Sequence, residues 1–166
     1  MVQHYSAMLH STRFGWAVGG GIPWLLPCFA TLHFVGMALL IGAAGVLSLR
    51  VLGIAKNLPI GPLQQLAMPW GITGFIINLV TGVGFYAGDP DPYIRNVAFW
   101  AKMLFILLAG INLGLFYFAG LASKIEVLGP GEDAPPAAKV LCATALFLLV
   151  GMMYWGRMLF FVGNPS

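Results

Sequence analysis

The chain has 166 residues, 60% of them hydrophobic and 8% charged, and its mean hydropathy is +0.90. Water-soluble domains carry about 25% charged residues, so the composition excludes that class and describes an integral membrane protein with lipid as its solvent. The formal charge of +3 sits on Lys and Arg flanking apolar segments, where it sets orientation, and no basic stripe with interleaved aromatics points to a nucleic-acid partner.

In chain order, the opening stretch MVQHYSAMLHSTRFGWAVGGG lacks the compact apolar core of a cleaved signal. Its aromatics and cations predict a segment lying at the membrane interface over residues 1–22. Four apolar stretches follow, at 24–52, 63–87, 97–121 and 138–162, each reaching the length of about 20 residues that a span requires. Between them lie NLPIGP (57–62), GDPDP (88–92) and LGPGEDAPP (128–136), whose Pro and Gly end helices and make turns. The expected fold is all-α: one integral membrane domain, an antiparallel bundle of four transmembrane helices with an N-terminal interfacial segment.

Orientation follows from the cations. The first connection holds Arg50 and Lys56 and the third Lys124 and Lys139, whereas the second holds Asp89, Asp91 and Arg95. The positive-inside rule places the first and third in the cytoplasm and both termini on the outer side. Trp16, Trp24, Tyr86, Tyr93, Trp100, Tyr154 and Trp155 then gather near the outer boundary as an aromatic belt.

Four ionisable residues fall in or at the ends of the spans. Arg50 closes the first, where a long cation is expected to snorkel to the headgroups. Lys102 and Arg157 lie about one turn inside the outer ends of the third and fourth spans, also within snorkelling reach. His33 lies deeper, about 13 Å past Trp24 along a helix, and a neutral imidazole cannot snorkel. In an antiparallel bundle His33, Lys102 and Arg157 share the outer leaflet with Tyr86, Trp100 and Tyr154. A nitrogen ligand with cations above it suits a haem, the imidazole on iron and Lys or Arg on the propionates. It also suits a quinone headgroup. A second axial ligand is not specified: His4 and His10 lie in the N-terminal segment, and Met37, Met103, Met152 and Met153 are thioether alternatives. The competing reading is a structural histidine hydrogen-bonded across helices.

The remaining features are mostly architectural. The eight methionines admit a Cu(I) reading, but irregular spacing favours core filling. Cys28 and Cys142 read as small buried hydrophobes. The glycines of GAAG (42–45), GITG (71–74) and GINLG (110–114) predict close helix approach, with Gly110 and Gly114 as an oligomer contact. Asn78, Thr81 and Asn112 are expected to hydrogen-bond across the bundle. No intramembrane carboxylate, hydrolase set or phosphate loop appears, so no catalytic residue is assigned.

The run PWLLPCFATLHFVGMALLIGAAGVLSLRVLG, with Trp24, Pro27, His33, Gly36, Gly42, Arg50, Leu52 and Gly53, resembles a family of bacterial four-helix inner-membrane proteins of uncharacterised function. The likeness continues through Trp70, Gly74 and Gly82, then Phe99, Lys102 and Asn112, and ends on Gly156 and Arg157. The family carries Glu-x-x-His in its first helix and Asp-Leu-Arg-Leu-Leu-Gly at that helix's end; here the two acidic positions are Ala30 and Ser48. It resembles b-type cytochromes and copper-resistance membrane bundles more distantly. The expectation is a small haem b subunit of the bacterial inner membrane that passes electrons at the outer side, in contact with lipid and with a redox partner or quinone. Its site would be His33 as metal ligand with Lys102, Arg157, Tyr86, Trp100 and Tyr154 around the cofactor. The alternative is a cofactor-free accessory subunit of a larger membrane complex or homo-oligomer.

Overall fold

The computed structural model describes residues 12–162; the expectations placed on residues 1–11, His4 and His10 included, lie outside them. The helices are α1 (Arg13–Trp16), continued by a π-helical turn at Ala17–Gly21, then α2 (Leu25–Leu52), α3 (Ile60–Gly88), α4 (Asp91–Ile94), α5 (Val97–Phe118), α6 (Leu121–Glu126) and α7 (Pro136–Val162). No strand occurs among the described residues. Four of these helices, α2, α3, α5 and α7, are long and apolar enough to cross a membrane. The shortest of the four, α5, has 22 residues and reaches about 33 Å at about 1.5 Å per residue, enough for a hydrocarbon core of about 30 Å.

Local chemistry sets the helix ends. Gly53, at φ 100°, takes the left-handed turn that closes α2, and the Ile54 amide returns to the Leu49 carbonyl at 3.0 Å. Asn96 opens α5: its Oδ1 accepts from the Ala98 amide at 2.8 Å, while its Nδ2 donates to the Leu159 carbonyl of α7 at 2.8 Å. The third span stops at Phe118, not at residue 121, because Gly120 adopts φ 63° and restarts the chain as α6. The GDPDP connection is likewise not all loop, since Asp91–Ile94 forms a single helical turn.

Contacts pair the long helices with residue numbers rising on one partner and falling on the other. Along α2 and α3, Phe29 meets Gly84, Gly36 meets Gly74 and Ala43 meets Gly71. Along α5 and α7, Lys102 meets Gly156, Phe105 meets Gly151, and Asn112 Nδ2 donates to the Leu141 carbonyl at 3.1 Å. α2 also packs on α7. Lipid gives helices no hydrophobic reason to associate, so close backbone approach and dispersion hold them. At the α2–α3 crossing a Cβ on Gly74 would lie 2.6 Å from the Gly36 carbonyl oxygen. The expected glycine contacts are therefore only partly those that form: Gly71 and Gly74 pack, while Gly42, Gly45 and Gly110 face open space.

At one end of the long helices Val51, Ile60, Leu121, Ile125, Ala134, Ala138 and Cys142 form a buried cluster. Arg50 lies beside it, only 1% exposed, and the snorkelling expectation is corrected. Its Nε donates to the Leu58 carbonyl at 2.5 Å, Nη2 to Gly129 at 3.0 Å and Nη1 to Glu132 at 3.4 Å. The segments after α2 and before α7 fold over the guanidinium and supply carbonyls where headgroups were expected. Around them Asp133 pairs with Lys139 at 2.8 Å and Lys56 at 3.1 Å, and the Gly131 amide donates to the Lys56 carbonyl at 2.8 Å. Cys142 is buried as expected, but Cys28 is exposed.

Candidate functional site

The opposite end of the long helices carries the sequence-predicted site. α2 presents His33 to α3, where Asn78, Thr81 and Phe85 follow one another at three- and four-residue spacing and so occupy one helix face. Thr81, 3% exposed, lies 2.7 Å from His33 Nδ1 through Oγ1 and 2.6 Å from the Ile77 carbonyl of its own helix. Two oxygens at the latter distance repel unless a proton lies between them, so the hydroxyl proton goes to Ile77. Thr81 Oγ1 must then accept from His33. The imidazole is the Nδ1–H tautomer, and Nε2 carries a bare lone pair. Nε2 has no hydrogen-bond partner among the described residues.

The ring is held as well as oriented. Phe85 packs edge-on to it at 5.5 Å between centroids, and Phe29 packs on Phe85 at 6.4 Å. Gly82 leaves room beside it: a Cβ there would sit 3.9 Å from His33 Cε1. One turn away, Asn78 Nδ2 donates to the Gly74 carbonyl at 3.0 Å, while its buried Oδ1 has no partner among the described residues. The expectation that Asn78 bonds across the bundle is corrected; its amide stays within α3. The lid over this end is the N-terminal segment, whose Val18 is fully buried against Gly88 and whose Phe14 packs on Phe29 at 6.3 Å.

Of the predicted site residues, Lys102 is the cation brought into electrostatic reach of His33. Its aliphatic stem lies along Gly156 of α7, where a Cβ would meet Nζ at 3.7 Å, and it forms no ion pair or hydrogen bond among the described residues. Arg157 is exposed, and its guanidinium lies 5.5 Å over the Phe161 ring one turn along its own helix. Tyr86 is half-buried and stacks on Phe99 at 5.9 Å and 13°. Trp100 is exposed and donates to the Ile94 carbonyl at 2.9 Å; Tyr154 is exposed and packs on Trp155 at 5.4 Å. The geometry thus assembles His33, Thr81 and Phe85, leaves Lys102 packed on Gly156 at electrostatic range of the imidazole, and gives Arg157, Trp100 and Tyr154 other partners. Beside Tyr86, Tyr93 lies in the connection between α3 and α5, where burial and then the Asp89 charge push its phenol above the usual range.

Thr81 hydrogen-bonds across the bundle as expected, and its partner, which the sequence did not name, is His33. The readable signal was its position, three residues after Asn78 and four before Phe85. Among the described residues no group of three or more His, Cys, Asp or Glu could hold a metal ion.

Among the described residues the fold is all-helical, with four helices that make a multi-pass membrane architecture in contact with lipid, and its site is an oriented imidazole with a lysine at electrostatic range. No protein-family model, curated protein or solved structure matches the chain.

Proposed function

We propose that the protein is a small b-type haem subunit of the bacterial inner membrane, an antiparallel four-helix bundle that passes electrons at the outer side. The observation that carries this reading is the hydrogen-bond pattern: Thr81 Oγ1, bonded to the Ile77 carbonyl at 2.6 Å, lies 2.7 Å from His33 Nδ1, which puts the proton on Nδ1 and leaves the Nε2 lone pair for a metal. Metal-ligating histidines characteristically donate their second ring N–H in this way. Bound haem supplies one-electron chemistry. The chain's own part is to present Nε2 from α2, to offer Lys102 to a propionate, and to keep water from the ring with Phe29 and Phe85. Positive-inside bias puts the Arg50 end in the cytoplasm and this site in the outer leaflet.

The test is an absorption spectrum of the chain purified in mild detergent from cells supplied with haem precursor. A Soret band in the wild type, lost in His33→Ala and weakened in Lys102→Met, is expected. A wild type without a Soret band ends the reading.

A cofactor-free accessory subunit is the second reading, and one observation favours it. An apolar groove of about 550 Å³ runs along α5 beside Gly110 and Gly114, with open space over Gly110. Small residues four apart are what a partner helix uses; Gly110 is open, while the Phe118 ring lies over Gly114, 3.7 Å from where a Cβ would be. Native mass spectrometry would then give a stoichiometric oligomer or complex that Gly110→Leu disperses, with no pigment.

A further inference from the structure

A second groove lies at the Arg50 end, on α3 and α6, away from the imidazole. It is a shallow, open depression of about 530 Å³ lined by Gln64, Gln65, Met68, Ile72, Thr73 and Glu126, with Gly61 at its mouth and Pro69 in its wall. From Gly61 to Thr73 it follows α3 for about 18 Å, at about 1.5 Å per residue. It therefore runs from the helix end well into the span.

Its polar groups are unspent. Gln64 Nε2 and Tyr117 Oη both direct their one described bond to the same thioether, Met68 Sδ, at 3.9 and 3.8 Å. A thioether is a weak acceptor, and such donors at membrane depth are costly without a better one. Pro69 lies inside α3, so no N–H returns to the Gln65 carbonyl. Nearby carboxylates are otherwise engaged: Asp133 has two lysines, and Glu132 Oε2 accepts from the Gly129 amide at 2.8 Å. Glu126 has no ion pair or hydrogen bond among the described residues, and it is the charged residue lining the groove.

The occupant this chemistry recognises has a cationic hydrogen-donating head at the mouth, acceptors one step deeper, and an apolar tail. A quinone would use the amides but leave the carboxylate without a cation, and an anionic lipid would be repelled by it. We infer that the groove is a binding site for an aminophospholipid of the phosphatidylethanolamine type. The ammonium pairs with Glu126, the phosphate and ester oxygens accept from Gln64 and Gln65, and an acyl chain lies along Met68 and Ile72.

The full chain, stripped of lipid in mild detergent, is titrated with phosphatidylethanolamine or phosphatidylglycerol of identical acyl chains, and occupancy is read by native mass spectrometry. The wild type is expected to favour phosphatidylethanolamine by about twofold to fivefold, the range of an exposed ion pair. Glu126→Gln should bring the two lipids to parity, Gln65→Leu should weaken both, and Asp91→Asn, at the far end, should keep the preference. Equal or reversed preference in the wild type overturns the assignment. So does a preference that survives Glu126→Gln, or a quinone retained through delipidation in a Glu126-dependent manner.

Discussion

Replacing Arg50 by Ala separates a buried clamp from a snorkelling cation by magnitude alone. The guanidinium donates to the carbonyls of Leu58, Gly129 and Glu132, and hydrogen bonds to charged groups contribute about 1.5–3 kcal/mol each. A simple sum overstates the loss: Leu58 and Glu132 belong to exposed residues, where water can replace the donor, and the Glu132 bond is long at 3.4 Å. Discounting those leaves about 2–4 kcal/mol, including the stem's packing beside the buried cluster. Arg50→Lys keeps the charge but, as a point donor, cannot span three carbonyls from two segments; about 1–2 kcal/mol should go. A snorkelling arginine would cost under about 1 kcal/mol to remove, and lysine would replace it. The assay is unfolding in mixed micelles with rising SDS fraction, followed by Trp fluorescence, with proteolysis of residues 128–135 as the local readout. An Ala variant within about 0.5 kcal/mol of wild type, or a Lys variant equal to wild type, would refute the clamp.

Three further outcomes are expected. Thr81→Val removes the acceptor for His33 Nδ1–H, and if haem binds there its retention should fall about 10-fold or more, read by titration of the Soret band, with an Arg50-end proteolysis pattern unchanged. Gly74→Ala puts a Cβ 2.6 Å from the Gly36 carbonyl oxygen and 2.7 Å from the Leu40 nitrogen, both backbone atoms; it should cost about 1–3 kcal/mol in the micelle assay, while Gly45→Ala, in open space, should be neutral or stabilising by about 1 kcal/mol. The Lys139 and Lys56 hydrogen bonds hold the Asp133 carboxyl below its ordinary value of 3.8. A depressed folded-state value means the contribution is complete above the ordinary value and disappears as pH falls through the folded one. Protease protection of the 128–135 connection should therefore drop on acidification below 3.8 in the wild type, but not further in Asp133→Asn, and salt should shrink the difference.

The spans were legible because bilayer thickness turns hydropathy into length, and α2 begins and ends within one residue of its expected bounds. The end of α5 was not, because hydropathy does not register that Gly120 takes a positive φ. Arg50 was misread for a different reason: its partner Gly129 is 79 residues away, and nothing near Arg50 announces that a distant loop will cover it. The imidazole's separation from surrounding carboxylates was visible, yet its partner Thr81 is 48 residues distant. Glycine contacts were half legible. Spacing marks surfaces that permit close approach, but the crossing point decides that Gly36 and Gly74 are used and Gly42 and Gly45 are not.

The two ends of the molecule contrast in a way that bears on function. At the Arg50 end the cation, Asp133 and Glu132 have partners within the chain and hold the connections together, while Glu126 on the adjoining groove has none among the described residues. At the His33 end the same polar inventory is left open: Nε2, Lys102 Nζ and the buried Asn78 Oδ1 have no partner among the described residues. Of the three groups only Asn78 Oδ1 is buried without a partner, and that lack costs free energy that a hydrophobic residue of similar size would not. His33, oriented by the buried Thr81 hydroxyl, and Lys102 are half-buried and offer a ligand from outside the chain bonds to complete. The His33–Thr81 bond across α2 and α3 is also the bond a structural histidine makes, so the orientation serves both readings and the spectrum of the isolated chain decides between them.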